Sequence, residues 1–261
     1  MQPTLDQLVM WAKEAGVILR AGFGKQHQVQ LKSRFNLVTE MDHRSEEYLL
    51  GQIRTLYPDH SIVAEESGLY EGTDSGCWYV DPLDGTTNYA HHMPFFSLSL
   101  AYSRGGELEL GVIFDPLREE CFSAQRGLGA WLNDEPISVS DVEQLEDSLL
   151  VTGFPYDVIG APRDNLAEFR YFGRKTQGVR RLGSAALDMA YVACGRLDAH
   201  WELNLKPWDI AAGVLLVREA GGKVSNPDGD PEVMKPPFGV LVANPVLHRL
   251  VLEGMRAASA G

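Results

Sequence analysis

Cysteine is scarce in this chain. Its three residues, Cys77, Cys121 and Cys194, are odd in number and show no CxxC spacing. That pattern argues against a disulfide framework, and the apolar neighbours of each mark a reduced core thiol. Positive charge is short as well: 23 Lys and Arg stand against 36 Asp and Glu, a formal net charge of −13. With no basic stripe to neutralise phosphates, the charge argues against a general nucleic-acid binder. Long hydrophobic runs are missing too. The longest apolar stretches fall well short of a bilayer span, and no basic flank followed by an apolar core opens the chain, so no membrane association is expected. A cytoplasmic location is the expectation from these absences.

Several catalytic signatures are also wanting. There is no GxxxxGK[ST] loop, and Gly22-Phe23-Gly24 lacks the third glycine of a dinucleotide fingerprint. No GxSxG elbow presents a serine nucleophile. Phosphatases with an aspartyl nucleophile carry DxDxT, with one residue between the acids, whereas two separate Asp81 from Asp84. His91-His92 has no soft ligands nearby and reads as a solvated loop pair.

What remains is a globular composition, 44% hydrophobic and 23% charged, in a chain long enough to bury a sizeable core. No repeat, low-complexity tract or linker divides it. A single domain over 1–261 is expected, with a soft internal boundary near 141–147 between an N-terminal α+β half and a C-terminal α/β half. Thr4-Leu5-Asp6-Gln7 predicts a capping box for a helix ending near Gly22 and Gly24, and Thr39 caps a second helix carrying Tyr48, Leu49, Ile53 and Leu56. Residues 61–64 form a short strand, and residues 96–102, 108–114 and 121–131 read as an antiparallel sheet around a Gly105-Gly106 turn. Beyond them come a strand at 179–182 and a helix opened by Gly183-Ser184. A strand at 199–203 follows, then a helix begun by Lys206-Pro207-Trp208-Asp209. A last helix is capped by Asn244-Pro245.

The most informative run is Trp78-Tyr79-Val80-Asp81-Pro82-Leu83-Asp84-Gly85-Thr86-Thr87-Asn88. An apolar strand delivers two carboxylates into a turn forced by Pro82 and Gly85, at the sheet edge where open α/β folds bind ligands. Taken alone, Asp81 reads first as a turn former or cap, and Asp84-Gly85-Thr86-Thr87 reads equally as one. Two further acidic stations share the design: Glu65 follows a strand, and Asp209 opens a helix. Four carboxylates from three distant segments suit two or three hard cations with oxygen ligands, Mg²⁺ rather than Zn²⁺. Such ions also reconcile the acidity of the chain with an anionic substrate. Gly85-Thr86-Thr87 and Gly183-Ser184-Ala185 each join glycine to a hydroxyl at a helix start, where free N–H groups and the dipole favour phosphate. On its own, Gly183-Ser184 reads first as a plain helix cap. Glu202 reads either as a ligand for substrate hydroxyls or as an exposed strand residue.

Ala64-Glu65-Glu66-Ser67, the run from Val80 to Asn88, and Lys206-Pro207-Trp208-Asp209-Ile210-Ala211-Ala212-Gly213 with Glu219-Ala220-Gly221-Gly222 together resemble the inositol monophosphatase family. Gly183-Ser184-Ala185-Ala186-Leu187-Asp188 and Asn36-Leu37-Val38-Thr39 fit in the same order, so the likeness runs through essentially the whole chain. It implies a layered αβαβα sandwich, usually a homodimer, that hydrolyses phosphate monoesters with Mg²⁺ and is often inhibited by Li⁺. It implies a first metal on Glu65, Asp81 and the carbonyl of Leu83, and a second on Asp81, Asp84 and Asp209. It also implies Glu65 and Thr86 as holders of the attacking water. Ala185 and Glu202, with Asp84, match positions that contact substrate hydroxyls, and Lys32 and Asp42 match outer positions near the metals. Lys206 departs from the His common in family members acting on animal inositol phosphates and leaves the ester open. Inositol monophosphate is the leading substrate, fructose 1,6-bisphosphate and histidinol phosphate are the alternatives, and a non-catalytic regulatory protein is the reading from another class.

Overall fold

The structure, a computed structural model, describes residues 2–27, 29–31, 37–155 and 163–259. The chain opens with α1 (Leu5–Gly22), the short pair β1 (Val29–Leu31) and β2 (Leu37–Thr39), and α2 (Glu40–Leu56). Then come β3 (Ser61–Ala64), β4 (Gly68–Tyr70), β5 (Gly76–Asp84) and the one-turn α3 (Thr86–Ala90). A meander follows: β6 (Ser97–Arg104), β7 (Glu107–Asp115), β8 (Glu120–Gln125), β9 (Gly129–Leu132) and β10 (Glu135–Pro136). The remainder is β11 (Leu149–Thr152), α4 (Leu166–Phe172), β12 (Gly178–Arg180), α5 (Ala185–Ala193), β13 (Ala199–Leu203), α6 (Pro207–Glu219), β14 (Lys223–Ser225), β15 (Gly239–Ala243) and α7 (Pro245–Ser259).

Helix starts follow from their caps. Thr4 Oγ1 accepts from the Gln7 N–H at 3.3 Å while Gln7 Oε1 accepts from the Thr4 N–H at 3.0 Å, the reciprocal box that Thr-x-x-Gln predicts. Asn244 Oδ1 accepts from the N–H groups of Val246 and Leu247, and Pro245 takes the first helical position, where no N–H is needed.

Of the fifteen strands among the described residues, β1 and β2 pair separately and the other thirteen form two main sheets. The larger runs β10-β9-β8-β7-β6-β5-β3-β4, antiparallel except where β3 lies parallel to β5. The smaller runs β12-β11-β13-β15-β14 and is mixed. Alternation along the strands assigns the layers, because successive side chains leave opposite faces. Leu100 and Val112 pack under α1 and α2, while Ala101 and Ile113 face α5 and α6. Val151 and Val242 of the smaller sheet meet α5 and α6 from the other side, and Leu150, Trp201 and Leu241 turn outward to α4 and α7. The result is five layers, αβαβα, with α5 and α6 buried between sheets and apolar on nearly every face. Gly111 on β7 lets α6 approach closely: a Cβ there would lie 3.1 Å from the Ala212 Cα.

Both sheets feed one corner. β5 and β3 end side by side there, and α5 and α6 begin there, so strand ends and helix N-termini converge. No described helix is long and apolar enough to cross a membrane.

Candidate active site

At that corner lies a cavity of about 210 Å³ whose wall includes Glu65, Asp81, Leu83, Asp84, Gly85 and Thr86 from one side. Gly183, Ser184, Ala185, Asp188, Glu202, Lys206 and Asp209 come from the other. Each acid is delivered by a defined local structure. Glu65 leaves β3 with its N–H donated to the Val80 carbonyl at 3.1 Å, which continues the β3–β5 pairing by one residue. Asp81 is buried at the end of β5, and its Oδ1 accepts from the Leu83 N–H at 3.0 Å, closing the turn over Pro82. The ladder between β5 and β6 shifts register between Asp81 and Asp84, so both carboxylates reach the cavity side.

Asp84 has a partner the sequence does not reveal. Its Oδ2 accepts from Ser184 Oγ at 2.6 Å and from the Ala186 N–H at 2.7 Å, so it caps α5 from across the cavity. The Ser184 hydroxyl and the Ala186 N–H at this helix start, where the sequence points to phosphate, are thus engaged by a carboxylate. Gly85 (φ 96°) and Gly183 (φ 88°) occupy the left-handed region, where glycine alone is unstrained. A Cβ on Gly85 would crowd the Gly183 carbonyl at 3.2 Å, so the two glycines let the cavity walls meet. Asn88 ties them from behind, its Nδ2 donating to the carbonyls of Phe95 and Leu182 at 2.7 Å each. Asp209 stands in the first turn of α6, where its Oδ2 accepts the Lys206 N–H at 2.7 Å.

The electrostatics are those of crowded acids. Burial, then the negative charges of Glu65, Asp84 and Asp209, push the Asp81 carboxyl well above the usual carboxylate range. Burial followed by Asp84 and Glu65 does the same to Asp209. Burial raises Asp84 to about 6 even though Ser184 and the α5 N–H groups oppose the shift. Glu202 is pushed up to about 8, chiefly by burial and next by Asp84. Acids held this way without a cation are electrostatically costly. A divalent cation relieves that cost, and the donors around Asp81 are all oxygens, so this wall fits Mg²⁺ in ligand type and charge.

Thr86, the first residue of α3, has its hydroxyl 3.0 Å from both the Leu83 carbonyl and Asp42 Oδ1. Asp42 does not line the cavity. Its other oxygen accepts from the Thr39 N–H and hydroxyl at 2.8 and 2.6 Å, so the capping box of α2 also anchors Thr86. Thr87 is not brought to the cavity wall, because the α3 turn carries its side chain away from the Thr86 position. Lys32 lies outside the described residues, as does part of the loop from Lys25 to Asn36.

Ser45, Glu46 and Arg181 are supporting groups that escaped the reading of the sequence. The first turns of α2 bury polar groups: Ser45 and Glu46 join Asp42, at i, i+3 and i+4, and point at the acidic turns. Ser45 Oγ donates to the Pro82 carbonyl at 2.9 Å. The Glu46 carboxylate accepts the Glu66 N–H at 2.9 Å and the Ser67 hydroxyl, fixing the turn that carries Glu65. The spacing was visible, since it sits one turn inside a predicted helix, but a polar stripe reads by default as the solvent face. Arg181, another lining residue, is the cation whose charge opposes the upward shifts of Asp188 and Glu202.

Comparison with known proteins gives the family. Residues 1–260 match the inositol monophosphatase family. An inositol-1-monophosphatase of Synechocystis sp. is 45% identical over 93% of this chain and 85% of its own. The Nus factor SuhB of Pasteurella multocida is 44% identical over 88% of this chain and 87% of its own. The solved inositol monophosphatase of Anabaena (Nostoc) sp. superposes with a TM-score of 0.86 at 43% identity, over 97% of this chain and 96% of that one. Whole-length family match, high identity and superposable fold leave one assignment: the chain belongs to the inositol monophosphatase family and is a phosphoric monoester hydrolase.

Proposed function

We propose that the protein hydrolyses a small polyol phosphate monoester, inositol monophosphate first, using two or three Mg²⁺ ions. Glu65, Asp81 and the carbonyl of Leu83 would hold one ion, and Asp81, Asp84 and Asp209 another. The observation that carries this reading is the convergence of four carboxylates from the ends of β3 and β5 and the start of α6 on one cavity, where Glu65, Asp84 and Asp209 all raise Asp81, and Asp84 and Glu65 raise Asp209. Bound divalent ions lower the pKa of the attacking water and neutralise charge on the transferring phosphoryl group.

The residues of the chain then divide the work. Thr86 has one hydroxyl proton and two acceptors within 3.0 Å, Leu83 and Asp42. Its lone pair is therefore left to accept a hydrogen bond from a water, which it orients together with Glu65. Direct attack by water needs no covalent phosphoenzyme, consistent with the absence of DxDxT. Glu202 and Ala185 line the far wall, where they would meet substrate hydroxyls, and Lys206 and Arg181 supply positive charge at the rim. We place the enzyme in the cytoplasm as a homodimer; sedimentation at micromolar concentration tests the second point. The relatives named Nus factor favour a second reading, a regulatory binding role carried on the same scaffold.

The test is phosphate release from inositol 1-phosphate, fructose 1,6-bisphosphate, histidinol phosphate and glycerol 2-phosphate, with Mg²⁺ and with EDTA. EDTA-sensitive release with inositol 1-phosphate preferred supports the proposal. Release that prefers another ester reassigns the substrate, and no release from any favours the regulatory role.

A further inference from the structure

We propose that Asp188, His200 and Glu202 form a second cation site, one that takes a transition-metal ion such as Zn²⁺, in the wall behind the polyol end of the cavity. His200 and Glu202 are two residues apart on β13 and so share a face, and Asp188 meets them from α5. One ligand atom of each lies within 4.8 Å of the others, and His200 Nε2 stands 3.8 Å from Glu202 Oε2. Four-coordinate ions hold their ligands at roughly 2.1 Å, hence about 3.4 Å apart, so the cluster closes on the ion by about 1 Å.

The second observation is an unmet demand for partners. His200 is 0% exposed, Asp188 1%. His200 Nε2 has no hydrogen-bond partner, nor does Asp188 Oδ1, and the contact of the ring with the Val151 backbone falls short of a full hydrogen bond. Register sets His200 beside Val151 and Val242, both core residues, at a position where an aliphatic side chain costs nothing. Buried polar atoms without partners are uncommon and each costs on the order of 1–3 kcal/mol, so their presence asks for a ligand. Burial also holds the imidazole neutral, lowering it to about 3, which leaves a lone pair free. A dication balances two carboxylates, and Asp188 and Glu202 both face the cavity, so an open coordination position points there.

The donor set separates this site from the acidic turn. Imidazole with carboxylates suits Zn²⁺ and its neighbours, whereas all-oxygen sets suit Mg²⁺. An ion held here occupies Glu202, so Zn²⁺ competes with the polyol part of the substrate. That consequence rests on the proposed phosphatase reading; the binding itself does not.

The experiment is titration of metal-stripped protein with Zn²⁺ in saturating Mg²⁺, followed by calorimetry. Proteins compared are the wild type, His200→Phe, His200→Gln and Asp209→Asn. One Zn²⁺ binds wild type and Asp209→Asn alike, and both His200 variants lose at least about 100-fold in affinity, beyond what loss of a mere supporting residue costs. Zinc-edge absorption of the wild-type complex shows imidazole nitrogen among the ligands. With inositol 1-phosphate, Zn²⁺ inhibition weakens by the same factor in His200→Phe while zinc-free turnover stays within about twofold of wild type, well short of the 10–100-fold a metal-supporting residue costs. Equal Zn²⁺ affinity in wild type and folded His200 variants overturns the proposal. If neither variant folds, an absorption spectrum without imidazole scattering does so on wild type alone. Turnover lost in Asp209→Asn with Zn²⁺ binding kept separates this site from the catalytic one.

Discussion

Replacing Glu46, a residue that never reaches the cavity, is expected to weaken Mg²⁺ binding. The side chain is 3% exposed and accepts the Glu66 N–H at 2.9 Å and the Ser67 hydroxyl, holding the turn that presents Glu65. In Glu46→Ala both donors lose a charged acceptor and a buried cavity opens. A hydrogen bond to a charged group is worth about 1.5–3 kcal/mol, so a total near 3 kcal/mol is expected after the turn relaxes. For a chain of this size that corresponds to a fall in Tm of about 6–12 °C. In Glu46→Gln the carbonyl keeps the Glu66 N–H and the amide donates to Ser67, whose hydroxyl can accept, so the loss is about 1 kcal/mol. The functional cost follows from Glu65 losing its fixed position: the Mg²⁺ concentration for half-maximal activity rises about 10–100-fold in Glu46→Ala, as for residues that orient metal ligands. Differential scanning fluorimetry without metal and a Mg²⁺ activation curve read the two effects. A lower Tm with an unchanged Mg²⁺ curve refutes the positioning role and leaves Glu46 a structural residue only.

Four other outcomes are expected. Asp84→Asn and Asp209→Asn abolish turnover while the metal-free Tm is kept or raised, because each removes a crowded charge; wild-type-like turnover in either contradicts the two-ion assignment. Thr86→Ala lowers kcat far more than KM, since the hydroxyl orients water rather than substrate, and a change confined to KM would argue against it. A Cβ at Gly153, the residue after β11, would overlap the Glu202 carboxylate. Gly153→Ala therefore raises KM for the polyol ester by about 10-fold or more, the loss of one charged hydrogen bond, and an unchanged KM would remove Glu202 from substrate binding. His248 is 1% exposed, and because Ser225 Oγ donates to the Asn226 carbonyl, His248 Nε2–H donates to Ser225, leaving Nδ1 without a partner. Burial lowers its folded pKa from 6.5 to about 4. The unfolded chain therefore binds a proton that the folded chain refuses: the stability is complete above pH 6.5, and about 2 kcal/mol of it is gone by pH 5. Urea midpoints of wild type and His248→Gln at pH 7.5 and 5 check this, and equal pH dependence in both contradicts it.

Much of the fold could be read from local signals. Thr4-x-x-Gln7, Thr39 and Asn244-Pro245 mark helix starts through side chains that satisfy nearby N–H groups, and those helices begin there. The Gly105-Gly106 turn and its flanking alternation gave the antiparallel meander. The layered αβαβα sandwich followed from resemblance and is the architecture observed. β11 and β15 escape local reading, because both are short, largely apolar segments inside the second sheet, without the polar alternation that marks a half-exposed strand. α4 is only seven residues long, too short to display an amphipathic period, although Asp164 Oδ1 accepts its first N–H. Within the site, Glu65, Asp81, Asp84 and Asp209 each stood next to a turn or helix start. What local pattern could not show was Asp84 reaching the α5 N-terminus, or the polar face of α2 turned inward, since both are products of packing.

The most direct test of the two-ion account is anomalous diffraction from crystals grown with Mn²⁺ in place of Mg²⁺. Peaks in contact with Glu65 and Asp81, and with Asp81, Asp84 and Asp209, are the expected result. Their absence from this wall in protein that still releases phosphate would contradict the account.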